Sequence, residues 1–174
     1  MSVKYYLLDT NIFSHYPEIK QHDQSAEGKA LQENLKKIPQ GAKIFLCSVS
    51  AGEIEYGLRV APCAIEEHDK IRKFIDSFLC LSVNRDVATK YYADLRAKIF
   101  NLYSPHSRRS KQKRKEELRN PVNSKELQIQ ENDLWICAVA LAHNLILVTH
   151  DGMDPIKKVV GSSLQFEDWL AMPS

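Results

Sequence analysis

Four acidic side chains stand where the pattern of the sequence changes. Asp9 ends the apolar run YYLL inside YYLLDTN, and Glu53 lies in the first turn of a helix read after KIFLC. Asp133 opens DLWICAVALAHN, and Asp151 directly follows LILVTH. Like charges brought together repel, so a cluster of carboxylates needs a cation to justify it. Oxygen-only ligands select hard ions such as Mg2+ or Mn2+. Such ions bridge phosphate oxygens, activate water and stabilise a leaving oxygen, which is the chemistry of phosphodiester hydrolysis. A nucleic acid is the substrate that chemistry asks for.

Each carboxylate also has a purely structural reading. Asp9 in DTN suits an Asx turn or a helix cap. Ser50-x-x-Glu53 fits a capping box, in which the glutamate returns a hydrogen bond to the cap backbone. Asp133 near a helix start is favoured by the helix dipole, and Asp151-Gly152 is a common turn pair. What raises the joint reading above the single ones is position.

Strands and helices alternate along the chain. Strands are read at residues 4–9, at KIFLC, at LSV (81–83), at LILVTH and around Ser163–Phe166. Between them lie a short helix from Asn11 to about Tyr16, a capped helix from Ser25, and one from Ser50 to about Val60. Others follow from Pro62, from Asp86 to Tyr103, and over QENDLWICAVALAHN, with an amphipathic piece, FEDWLAM, near the end. This alternation predicts an α/β fold, a three-layer α/β/α sandwich with a mainly parallel central sheet. In a parallel sheet the carboxyl ends of all strands share one edge, so Asp9, Glu53 and Asp151 fall together there. Asp133 joins them only if the segment before its helix crosses back to that edge.

The 174 residues suit a single domain, and 44% hydrophobic with 26% charged residues describe an ordinary globular chain. No apolar run approaches the ~20 residues of a membrane span. The N-terminus lacks the apolar core and cleavage site of a secretory signal, so the expected compartment is the cytoplasm. Cys47, Cys63, Cys80 and Cys137 form no C-x-x-C pair and read mostly as small core residues. Net charge is +2, yet RRSKQKRKEELR at 108–119 alone carries +5 and leaves −3 for the rest. That segment falls in a polar insertion at about 104–128, a solvated loop or an anchor for an anionic partner.

Four segments in order resemble PIN-domain ribonucleases, most of all the VapC-type toxins of bacterial toxin–antitoxin pairs. LLDTNIF resembles the opening strand with its first metal-binding Asp, here Asp9. SVSAGEIEYG resembles the segment whose acidic residue precedes a Gly by four positions, which maps to Glu53 ahead of Gly57 and favours Glu53 over Glu55. ENDLWICAVALAHN resembles the helix carrying the third acidic residue, Asp133. LILVTHDGMD resembles the last sheet strand, with Thr149 in its polar position and Asp151 in its fourth acidic position. The resemblance covers most of the chain and implies that Asp133 shares the pocket. It departs at two points: the insertion at 104–128 is longer and more basic than usual, and GMDP replaces an Asp-Phe pair, with Asp154 the candidate for that Asp.

The resemblance implies a PIN-like fold and a Mg2+- or Mn2+-dependent endoribonuclease, with Asp9, Glu53, Asp133 and Asp151 as catalytic metal ligands. Asn11, Thr149 and Asp154 are candidates to orient them. Arg108, Arg109, Lys111, Lys113, Arg114 and Lys115 are candidates to follow an RNA backbone. Trp135 reads as a core residue. A small antitoxin over the site and a homodimer are further implications. Two other classes stand beside this one. A PIN fold that binds RNA without cutting it would be marked by a missing carboxylate. A phosphohydrolase with Asp9 as nucleophile calls for an Asp two residues on, where this chain has Asn11.

Overall fold

Five strands form one sheet in which every pairing is parallel. They are β1 (Tyr5–Leu8), β2 (Lys43–Cys47), β3 (Leu79–Leu81), β4 (Ile146–Val148) and β5 (Phe166–Glu167), in the order β3-β2-β1-β4-β5. This is a computed structural model, and the residues it describes are 3–20, 23–61, 65–103, 118 and 126–172. From β1 the chain steps outward to β2 and β3, then returns to lay β4 on the other side of β1. The order therefore reverses between β1 and β4, and ligands of open α/β sheets bind in the crevice beyond the strand ends at such a point.

The strand period of two sends alternate side chains into two cores. Leu7 of β1, Cys47 of β2 and Leu147 of β4 enter one of them. Tyr6, Leu8, Leu46 and Val148 enter the other. The first core is completed by α5 (Ala93–Tyr103), α6 (Glu131–Ala142) and α7 (Asp154–Val160). The second takes residues from α1 (Thr10–Phe13) and α2 (Ala26–Lys36), with Trp169 and Leu170 from the tail. Helices α3 (Ser48–Val60) and α4 (Ile65–Ile75) fill the remaining crossovers. Both sheet faces are thus covered, as the three-layer reading requires. The apolar run of α6 is explained by burial of Leu134, Ile136 and Cys137 through Ala140.

Several expectations need correction. The third strand lies two residues earlier than 81–83, because as a sheet edge with Leu79 and Cys80 exposed it carries little burial pattern to read. Cys80 is accordingly a surface thiol; Cys47 and Cys137 are buried, and Cys63 lies outside the described residues. Helix α3 starts at Ser48, capped by Cys47, whose sulfur accepts from the Ser50 N–H. Ser50 is therefore a fully buried residue inside the helix and not the cap of a capping box. The helix after Asp86 is interrupted by a π-helical stretch, Val87–Tyr92, before α5.

The strand placed around Ser163–Phe166 sits later, at Phe166–Glu167. Helix α7 is unforeseen, since seven residues with Pro155 in their first turn look like a loop. Trp135 is half-buried and not core; its ring stacks on Tyr92 at 3.6 Å between centroids. Within the basic segment, Leu118 is buried in the first core. Arg108, Arg109, Lys111, Lys113, Arg114 and Lys115 lie outside the described residues. No helix among the described residues is long and apolar enough to cross a membrane.

Candidate active site

At the reversal point, β1 ends in Asp9 and β4 continues into Thr149, and both residues are only 3% exposed. The Asp9 N–H donates to the Val148 carbonyl at 2.9 Å, which ties the two strand ends together. Asp9 caps α1: its Oδ1 accepts from the Thr10 N–H at 2.7 Å. Its Oδ2 accepts from the Thr149 hydroxyl at 2.6 Å. The capping role and the site role therefore coexist, one oxygen serving each. Thr149 Oγ1 in turn accepts from the Asp151 N–H at 3.1 Å and from Asn11 Nδ2 at 3.4 Å. Asn11 also accepts from the His150 N–H. Asn11 thus holds the loop after β4 and touches Asp9 only through Thr149.

Glu53 sits one turn into α3. Its Oε2 accepts from the Thr10 hydroxyl, and its Oε1 accepts from Asn132 Nδ2 at 2.6 Å. The capping-box alternative for Glu53 is excluded, because its carboxylate points across to α1 and α6. Asp133 lies at the third position of α6, where the nearby Gln130 backbone N–H favours its charged form.

The electrostatics tie the carboxylates together. Burial pushes Asp9 up to about 6, with the charges of Asp151 and Glu53 adding to the rise against the hydrogen bonds from Thr149 and Thr10. Burial, followed by the charges of Asp9, Asp151 and Glu53, likewise pushes Asp133 up to about 7. Each group is thus penalised for ionising beside the others, the condition a divalent cation relieves. Yet among the described residues no three His, Cys, Asp or Glu side chains converge closely enough to form a ready cage. The all-oxygen donor set fits a hard cation in kind. A Mg2+ ion usually keeps several waters and needs only one or two protein carboxylates.

Two clefts are lined by the other candidate carboxylates. One, of about 670 Å³, is lined by Asp133, Asp151 and Asp154, with Leu127–Gln130 and Met153 in its walls. The other, of about 620 Å³, is lined by Ser48, Val49, Gly52, Glu53, Tyr56 and Asn132. Asp154 thus faces the same space as Asp133 and Asp151. Two polar residues that the sequence reading passed over, Thr10 and Asn132, hold Glu53. Each directly adjoins a candidate carboxylate at an element boundary, which was the only one-dimensional clue to them.

A sequence model of the PIN domain matches residues 6–159. Among solved structures, VapBC2 from Rickettsia felis, bound to a DNA fragment from its promoter, is similar at 22% identity and a TM-score of 0.65. That match covers 95% of this chain and 98% of the other. VapBC-1 from nontypeable Haemophilus influenzae is similar at 18% identity and a TM-score of 0.66, over 96% and 99% of the two chains. VapBC from Salmonella typhimurium, also DNA-bound, is similar at 18% identity and a TM-score of 0.63, over 97% and 99%. No curated protein matches the sequence. At these identities the structural likeness speaks to the fold.

Proposed function

The chain belongs to the PIN-domain family, and from that premise we propose that it is a divalent-metal-dependent endoribonuclease, the toxin of a toxin–antitoxin pair. The observation that carries the reading is the mutual penalty at the β1/β4 crevice. Asp9 and Asp133 are each raised by burial and by the other acidic groups, while the hydrogen bonds they receive come from neutral donors. Asp9, Glu53, Asp133 and Asp151 would hold the Mg2+ or Mn2+. When bound, the ion supplies positive charge at the scissile phosphate, lowers the pKa of a water and stabilises the leaving oxygen.

The chain's own residues do the positioning. Thr149 and the Thr10 N–H fix both oxygens of Asp9, and Asn11 steadies Thr149. Thr10 and Asn132 hold Glu53 at the rim of the second cleft. Arg108, Arg109, Lys111, Lys113, Arg114 and Lys115 would follow the RNA backbone, which makes affinity fall steeply with salt.

The similar structures are named as VapBC assemblies, one pair of them on promoter DNA. For this chain the corresponding reading is a single domain over residues 1–174, working in the cytoplasm as a homodimer and restrained by a small antitoxin over the crevice. Cleavage of RNA by the purified chain, with Mg2+ or Mn2+ and with EDTA, tests the enzyme. Cleavage that survives EDTA, or that Asp9→Asn and Asp133→Asn leave unchanged, sinks the metal–carboxylate mechanism. One observation favours a second reading, an RNA-binding module that does not cut: among the described residues no three carboxylates converge in a closed cage. RNA bound but intact under saturating Mn2+ would establish that module instead.

A further inference from the structure

The two clefts lined by the candidate carboxylates differ in a way that assigns them different parts of a substrate. The cleft of Asp133, Asp151 and Asp154 carries three carboxylates and, among the described residues that line it, no Lys or Arg. Phosphates are repelled there and cations are welcome. The cleft of Glu53 has one carboxylate, already engaged by Thr10 and Asn132, and its other described lining residues are uncharged. Val49, Gly52, Glu53 and Tyr56 recur on α3 at spacings of three and four residues, so they share one helix face. Tyr56 therefore stands one turn beyond Glu53, and it is 69% exposed. A Cβ built on Gly52 would meet nothing within 4 Å, so the floor between Glu53 and Tyr56 is open.

An exposed aromatic ring beside an open, uncharged floor is the arrangement on which single-stranded bases stack. We infer that Tyr56 is a base-stacking residue, and that the Ser48–Gly52–Tyr56 side of the crevice receives an unpaired nucleotide next to the scissile phosphate. This rests on the ribonuclease reading and adds a direction to it. The strand runs over the Glu53 cleft, and the acidic cleft is left to cations and water. Tyr56 contributes affinity and base preference; it does not touch the reacting atoms.

The test uses the full chain in an Asp9→Asn background, to suppress turnover, with Mg2+ present and a short single-stranded RNA as probe. Tyr56→Ala is expected to weaken binding about 10-fold, within the range of one lost base–aromatic stack, whereas Tyr56→Phe keeps it. Gly52→Leu fills the floor while favouring the helix, so it is expected to weaken binding to a similar degree without unfolding the chain. On probes carrying an abasic site at successive positions, one position should erase the difference between Tyr56→Ala and its parent. RNA binding that Tyr56→Ala leaves unchanged overturns the inference. It is overturned equally if Tyr56→Ala alters only the mass of the chain in solution, since the ring would then serve a protein contact. Cleavage by the unsubstituted chain is scored separately. Its absence would defeat the nuclease reading and leave the stacking comparison standing.

Discussion

Asp9 and Asp23 are two of the most deeply buried polar side chains described, at 3% and 5% exposure, yet their surroundings push them in opposite directions. Asp9 is pushed up to about 6 by burial and by the charges of Asp151 and Glu53. Asp23 is held well below the usual carboxylate range by hydrogen bonds from Ser25, then by His15 and Lys20. Its Oδ1 accepts from the Ser25 N–H at 3.0 Å, and its Oδ2 lies 3.0 Å from His15 Nδ1 and 3.2 Å from Lys20 Nζ. Burial alone does not separate a working carboxylate from a structural one. What separates them is the balance at each carboxylate: at Asp23 the hydrogen bonds from Ser25, helped by His15 and Lys20, outweigh burial, whereas at Asp9 burial and acidic neighbours outweigh the hydrogen bonds. Asp23 also has basic partners and staples the start of α2; among the described residues Asp9 has neutral donors and acidic neighbours.

The largest effects should fall on cleavage. Asp9→Asn and Asp133→Asn are each expected to lower the RNA cleavage rate about 10²- to 10⁴-fold, the span seen when a directly acting polar group is removed. Asp23→Asn should leave the rate within about twofold of the parent while lowering the melting temperature by a few degrees. Equal losses of activity from Asp9→Asn and Asp23→Asn, in chains that still melt cooperatively, would erase the distinction.

That distinction was only half legible in the sequence. The apolar runs of β1, β2 and β4 and the helix of Asp133 could be read from residue types, and parallel pairing then put Asp9, Glu53 and Asp151 on one edge. The partners could not. Thr10 and Asn132 reach Glu53 from 43 and 79 residues away. Thr149 reaches Asp9 across 140. Such separations leave no periodic trace. The same lack of local pattern hid α7, and it let Ser50-x-x-Glu53 pass for a cap when Cys47 fills that role. FEDWLAM looked amphipathic because Trp169 and Leu170 are buried, but Asp168 accepts from the Leu170 and Ala171 N–H groups in a turn, and no helix forms.

Acid titration should separate the pair next. Asp9 has a folded pKa above the ordinary 3.8, so its favourable contribution is full below that value and is lost as pH rises through about 6. The rise corresponds to about 3 kcal/mol against the metal-free fold at neutral pH. Metal-free Asp9→Asn should therefore melt above its parent at pH 7.5, with the gap closing towards pH 4. Asp23 has the opposite sign: its contribution is present above the ordinary value and is lost as pH falls. Asp23→Asn should melt below its parent at pH 7.5, and that gap should close only in stronger acid. Adding Mg2+ or Mn2+ at pH 7.5 should raise the melting temperature of the parent and of Asp23→Asn, but little that of Asp9→Asn. A metal at 100 times its Kd contributes about 2.7 kcal/mol.

A smaller effect is expected one step away from the charge. Thr149→Val keeps the shape of a fully packed residue and removes the hydroxyl that donates to Asp9 Oδ2. Loss of such an orienting partner typically weakens metal affinity or activity about 10- to 100-fold. The Mn2+ concentration needed for half-maximal cleavage should rise accordingly, and Thr149→Ser should restore it. If Thr149→Val cleaves with unchanged metal dependence, Asp9 is held by its backbone contacts alone.

The smallest effect belongs to a second pair that repeats the contrast on one helix. Glu53 and Glu55 are two residues apart on α3, so they face different directions. Glu53 takes its hydrogen bonds from the neutral Thr10 and Asn132. Glu55 lies between Arg59 at 2.8 Å and Arg72 at 3.0 Å, and hydrogen bonds from Arg72, then Arg59, hold its carboxyl low. By the rule drawn from Asp9 and Asp23, Glu55 is a structural carboxylate that ties α3 to α4. Glu55→Gln should change cleavage by less than about twofold, the scale of an exposed ion pair. Glu53→Gln should shift the Mn2+ requirement upward, because an amide offers the ion a weaker ligand. If the two substitutions behaved in the reverse order, charge compensation would no longer distinguish the working acids from the structural ones in this fold.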